Sequence, residues 1–178
     1  MKAEVCNILG MAHTDDFGCY LGVPVINGRV TNSTFQDVLS RIDGRLASWK
    51  TKCLSLAGRA TLIQSTIAAI PGYVMQSSRL PRSLCDTLDK KIRRFLWGGT
   101  AMGRKIHLVP WDIITREKMQ GGLGIRSMRQ LNSAYLMKLG WRLTTEPSAL
   151  WARILKEKYS RGRGLEDFTG HISSVSNA

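Results

Sequence analysis

Two neighbouring carboxylates, Asp15 and Asp16, are the first residues that suggest chemistry. Paired carboxylates hold two divalent metals about 3.5–4 Å apart in phosphoryl-transfer sites. Their surroundings, His13-Thr14-Asp15-Asp16-Phe17-Gly18, supply neither a preceding apolar strand nor a third carboxylate in a similar setting upstream. A loop or helix-cap role is therefore the expected one. Gly121-Gly122-Leu123-Gly124 resembles a phosphate loop only in its glycines, since no Lys-Ser/Thr follows and G-x-G-x-x-G is not matched. A tight turn with positive φ is the expectation there. Cys6, Cys19, Cys53 and Cys85 are widely spaced without a C-x-x-C pair, and His13, His107 and His171 are scattered. No zinc or redox motif is legible, and no nucleophile–base arrangement stands out. The sequence predicts no catalytic residues, no metal ligands and no cofactor in this chain.

The cations carry more information. The 178 residues hold 26 Lys and Arg against 13 Asp and Glu, a formal net charge of +13. Such an excess points to a polyanionic partner, nucleic acid before an anionic membrane. Lys50 and Lys52 end one helical pattern. Arg79 and Arg82 precede or open another, which contributes Lys90, Lys91, Arg93 and Arg94, and Arg104 and Lys105 follow. These ten residues are the expected nucleic-acid-binding set. A charge run is usually a solvated face, and that is the competing account. Contact with phosphates on a duplex would give affinity and position without reading sequence. Five tryptophans are present. Trp49 and Trp141 fall in or near apolar stripes and are expected to anchor the core, whereas Trp97 and Trp111 are candidates for base stacking.

Helices must position these cations. Phe35, Val38, Leu39, Ile42, Leu46 and Trp49 recur at helical spacing, with Asn32, Ser33 and Thr34 as N-cap candidates. Ser55 is placed to cap a second helix with Leu56, Ala60, Ile63, Ile67 and Ile70 on one stripe, and Pro71-Gly72 ends it. Arg59 lies at that stripe's edge and needs an anionic partner or a route to water. A third helix opens near Pro81 with Leu84, Leu88, Ile92 and Phe95 facing inward, and Trp97-Gly98-Gly99 stops it. The proposed core helices are 34–50, 56–70, 82–97 and 128–144, the last expected to be central and buried because apolar residues surround it. Residues 111–118 allow one or two helical turns, and Pro147 begins a further helix. Strand-like 104–109 is placed to form a hairpin with 120–125, and 19–26 reads as a short extended segment. The expected fold is mainly α: a helical, thumb-like bundle with one small β-hairpin and a disordered C-terminal tail. The expected divisions are a junction remnant over 1–18, a helical domain over 19–159 and the tail over 160–178. No signal peptide or membrane span is legible, so a nuclear or cytoplasmic, non-secreted chain is expected.

Several ordered strings resemble one family. YLGVP (Tyr20 to Pro24), RLASWKTKCLSLAGRATLI (Arg45 to Ile63), AIPGYVM (Ala69 to Met75), FLWGG (Phe95 to Gly99), HLVPW (His107 to Trp111), KMQGGLGI (Lys118 to Ile125) and LWARILKEKY (Leu150 to Tyr159) follow each other over about residues 8–160. Together they resemble the segment after the polymerase palm in plant LINE-type (non-LTR) retrotransposon reverse transcriptases. The resemblance implies the thumb and connection of an RNA-directed DNA polymerase, with the palm's catalytic aspartates, and the magnesium they would hold, lying upstream. It implies as partners the backbone of an RNA–DNA hybrid or DNA duplex, and the palm itself. It places Asp15-Asp16 in the family's D-F-G stretch before YLG, away from the polymerase aspartates. Cys19 stands where the family commonly has lysine, and the pattern is not continued after Ser160. Both departures fit a decayed or truncated copy, so the alternative expectation is a structural remnant without activity.

Overall fold

The computed structural model describes residues 2–12, 18–26, 28, 30–31, 33–49, 53–99 and 105–160. Asp15, Asp16, the N-cap candidate Asn32, and residues 161–178 of the expected tail lie outside them. The chain is mainly α with one antiparallel hairpin of two strands. It divides into two compact units, Met1–Leu136 and Met137–Ala178.

The first unit opens with α1 (Lys2–Leu9), within the stretch expected to be a junction remnant. Next come β1 (Cys19–Tyr20) and β2 (Val23–Pro24), with Cys19 opposite Pro24 and Tyr20 opposite Val23. The loop between them is Leu21-Gly22, both at positive φ (50° and 79°), the backbone signature of a tight two-residue hairpin. This is the small hairpin of the fold, and its position corrects the pairing expected between 104–109 and 120–125. In the latter region the backbone is committed elsewhere: Gly122 N–H donates to the Glu117 carbonyl, Leu123 N–H to Ile114 and Gly124 N–H to Arg116. Those bonds fold 121–124 back onto the end of a helix, and among the described residues 105–109 pairs with no strand. Gly122 is required there, because a Cβ would meet the Arg116 carbonyl oxygen at 2.1 Å.

A 3-10 turn (Ser33–Phe35) leads into α2 (Gln36–Ser48), so Ser33 and Thr34 sit in the turn rather than capping the helix. Thr34 Oγ1 instead accepts from Thr31 N–H at 3.2 Å. Ser55 does cap α3 (Leu56–Leu62), its Oγ accepting from Gly58 N–H at 3.1 Å. The expected helix 56–70 is not regular throughout: Ile63–Ile67 winds as a π segment, with Ala68 N–H donating to the Ile63 carbonyl five residues back. Pro71-Gly72 ends that run and at once begins α4 (Gly72–Met75). The third expected helix is α5 (Arg82–Leu96), followed by α6 (Trp111–Ile114), a 3-10 turn (Lys118–Gln120) and α7 (Met128–Thr145).

The core of this unit joins Phe35 of the 3-10 turn, Val38 and Ile42 of α2, Ile63 and Ile67 of the π segment, and Leu84, Leu88, Ile92, Phe95 and Leu96 of α5. Ile114, Ile125, Met128 and Leu131 complete it. Trp49 packs against the cluster as expected, its ring 5.3 Å from that of Phe95 and tilted by 48°. One polar side chain is buried among the described residues. Asn132 accepts from Leu80 N–H (2.9 Å) and donates to the carbonyls of Met75 (3.2 Å) and Ser78 (3.0 Å). It thereby satisfies the backbone of the turn between α4 and α5, which leaving unpaired would cost about 1–3 kcal/mol per group.

The expectation of a wholly buried 128–144 helix is overturned. Met128, Leu131 and Asn132 are buried, but Met137 is exposed and Trp141 is 70% exposed. An isolated helix with apolar residues all round needs neighbours on every side to bury them, and here α7 runs from one unit into the other. Trp141 is thus no core anchor. In the second unit α8 (Leu150–Ser160) follows α7, and the Arg142 guanidinium lies 5.5 Å from the Trp151 ring centre. Arg142 also grips Glu146 at 3.1 and 2.9 Å, which lowers the Glu146 carboxyl from its ordinary range. No helix among the described residues is long and apolar enough to cross a membrane.

Candidate nucleic-acid interface

Helix α5 carries half of the ten expected cations, on the side left free because its inner face is spent on the core. Leu84, Cys85, Leu88, Ile92, Phe95 and Leu96 are buried, and at 3.6 residues per turn they leave the opposite face to Arg82, Lys90, Arg93 and Arg94. Arg82, Lys90 and Arg94 are exposed and Arg93 is half-buried. None of the four has a carboxylate within 4 Å among the described residues. From Arg82 to Arg94 the helix rises about 18 Å, roughly half a helical turn of duplex. Arg79 is exposed on the segment before α5, and Lys105 is exposed on the segment after it. Lys50, Lys52 and Arg104 lie outside the described residues.

Lys91 separates from the others. It sits on the opposite margin of the outer face, and its Nζ lies 2.6 and 2.9 Å from the two carboxylate oxygens of Asp43 on α2. Its charge is answered within the protein, so it clamps α5 to α2 rather than offering a free cation. Asp86, the carboxylate on the outer face, is itself met by Arg129 of α7 at 3.4 Å. Sequence reasoning missed Arg129, and nothing in the spacing of residues 86 and 129 would have revealed the pair.

Asp89 shows why the cationic side of α5 is firmly held. Its Oδ1 accepts from Met128 N–H at 3.0 Å, at the first turn of α7. Carboxylates are favoured at helix N-termini. Burial nevertheless pushes the Asp89 carboxyl above its ordinary value, and the Met128 N–H, with the indole of Trp111 close by, pulls it only part of the way back. The Trp111 Nε1 lies near this carboxylate without completing a hydrogen bond to it. The same burial, then the charges of Asp89 and Asp86, push the Cys85 thiol up. Arg93 Nε and Trp97 Nε1 are also enclosed without a partner.

Trp97 and Trp111 are half-buried and both pack on the core cluster. Trp97 helps line an apolar cavity of about 150 Å³ with Leu56, Leu96, Val109, Ile113 and Leu123. The exposed His107 stacks beside its ring with an offset, the two centroids 6.4 Å apart with planes 22° from parallel. Among the described residues, no three side chains of His, Cys, Asp and Glu converge as metal ligands.

With this geometry in place, two known proteins of Arabidopsis thaliana are similar to the chain. One, named "Putative ribonuclease H protein", is 40% identical over 140 residues. Common ancestry follows. That match takes in 79% of this chain but 23% of the relative. The other, named as an uncharacterized mitochondrial protein, is 35% identical over 92 residues, 51% of this chain and 60% of that protein. The chain therefore spans less than two thirds of either relative. No family model and no solved structure matches it.

Proposed function

We propose that this chain is a retroelement-derived segment, the helical region after the palm of a non-LTR retrotransposon reverse transcriptase, and that it grips template–primer nucleic acid by its phosphates. The observation that carries the reading is the outer face of α5, where Arg82, Lys90, Arg93 and Arg94 stand together without carboxylate partners among the described residues. Cations so placed release counterions when they neutralise phosphates. The ordered strings from YLGVP to LWARILKEKY support the family reading. The similarity to less than a quarter of a protein named for ribonuclease H is consistent with one segment of a larger multifunctional chain. In this reading bond formation and its magnesium belong to the palm, while this segment positions the duplex.

The test is binding of the 178-residue chain to an RNA–DNA hybrid as salt is raised. Each phosphate contact lowers log affinity by about 0.9 per tenfold rise in salt on duplex DNA, so a steep decline supports the grip and a flat response rejects it. A second reading is a decayed remnant without activity. It is favoured by the apolar side chains left in water, Ile106 at 84%, Leu108 at 76% and Met119 at 98% exposure. A chain that folds cooperatively yet binds neither hybrid nor DNA duplex at low salt would decide for the remnant.

A further inference from the structure

On α5 the residues Lys90, Arg93, Arg94 and Trp97 are spaced i, i+3, i+4 and i+7, which places them along one stripe of the helix and its C-cap. The stripe thus runs from three cations to an indole. Trp97 is half-buried and packs against the core cluster, which restrains the indole. His107 lies over it in an offset stack, 6.4 Å between centroids and 22° between planes. The imidazole is exposed, as are Ile106 and Leu108 on either side of it. The result is a two-ring stack with a restrained inner layer and a solvent-facing outer one, at the end of a cationic track. Aromatic platforms next to basic grooves bind single strands because every base has a π-face. A base inside a duplex has both faces covered by its neighbours. An unpaired base beside a duplex does not.

We propose that His107, backed by Trp97, is a stacking platform for an unpaired base where duplex gives way to single strand. The phosphates of the adjoining duplex lie on Lys90, Arg93 and Arg94. The inference rests on the duplex grip proposed above and adds a ligand class to it: a junction rather than a uniform duplex. Arg and Lys position the backbone, and the imidazole supplies flat contact area without sequence preference.

The experiment compares two RNA–DNA hybrids with the full chain, one blunt and one with a single-stranded overhang carrying 2-aminopurine at its first unpaired position. The overhang hybrid is expected to bind about tenfold tighter, the usual effect of one base–aromatic stack, with quenching of the 2-aminopurine fluorescence. His107→Ala is expected to erase both the tenfold preference and the quenching while the unfolding midpoint and blunt-hybrid affinity stay as in the parent. His107→Phe is expected to restore both. Equal affinity for the two hybrids without quenching overturns the platform and leaves the duplex grip standing. An equal loss on both hybrids in His107→Ala also overturns it, because His107 would then only pin its own segment against α5. Failure to bind either hybrid removes the grip and the platform together.

Discussion

Arg59 and Gly98 are locked together at the C-terminal end of α5. The Arg59 guanidinium donates through Nη1 to the Leu96 carbonyl at 2.8 Å and through Nε and Nη2 to the Leu54 carbonyl at 3.2 and 2.8 Å. Gly98, at φ +69°, lies so close that a Cβ on it would stand 2.7 Å from Nη1. The half-buried arginine thus finds neutral carbonyl partners instead of an anion, one of them, Leu96, at the C-terminal end of a helix where the macrodipole is negative.

Gly98→Ala is expected to lower stability by about 1–2 kcal/mol from the left-handed backbone alone, and further through displacement of the guanidinium. Arg59→Ala strands two carbonyls and is expected to cost about 3 kcal/mol. Urea unfolding of the two single variants and the double variant checks the coupling. Full additivity would mean that the side chain and the glycine do not act on one another.

Asn132→Leu is expected to destabilise the chain by about 3 kcal/mol, since one backbone N–H and two carbonyls lose their partner together. A drop in the urea midpoint with an unchanged slope would check it, whereas a loss of under about 1 kcal/mol would mean that the 75–80 turn rearranges to pair itself.

Lys90→Ala and Arg94→Ala are each expected to lower the salt slope of duplex binding by about 0.9. Lys91→Ala is expected to alter it least, because Asp43 already holds that ammonium. The slopes of log affinity against log salt decide, and an effect of Lys91→Ala as large as the other two would contradict the division of the cations made from their ion pairs.

Asp89 gives a pH dependence of fixed sign. Burial holds its carboxyl above the ordinary 3.8 in the folded chain, so the folded state binds that proton more tightly than the unfolded one. This contribution to stability is complete below the ordinary value and is lost as pH rises through the raised one. Asp89→Asn keeps an oxygen for the Met128 N–H and removes the charge. The variant is therefore expected to gain on the parent as pH is raised from below the ordinary 3.8 to neutrality. Unfolding free energies of both proteins across that range measure the difference, and a gap that is constant or shrinks would refute the assignment.

Much of the helical frame was legible in the chain itself. The stripes Phe35–Val38–Ile42 and Leu84–Leu88–Ile92–Phe95 state which faces are buried, and Ser55 marks a helix start in the sequence and in the structure alike. These features depend on residues three or four apart, and local spacing is enough to specify them. The hairpin was misplaced for a related reason. Residues 104–109 have strand composition, but pairing depends on what the partner's backbone is doing, and 121–124 is bound to Ile114, Arg116 and Glu117.

The expected cationic set was likewise only partly sorted by spacing. The sequence alone determined that α5 is amphipathic and that its outer face is positive, because those properties follow from helical periodicity and side-chain type. Tertiary structure decided which cations stay unpaired, since Asp43 is 48 residues from Lys91 and Asp86 is 43 from Arg129. It also decided that Trp97 meets His107 in an offset stack and that Trp141 faces water. Contacts between distant residues arise when helices pack, and packing is fixed by the shapes of whole faces rather than by the order of neighbours along the chain.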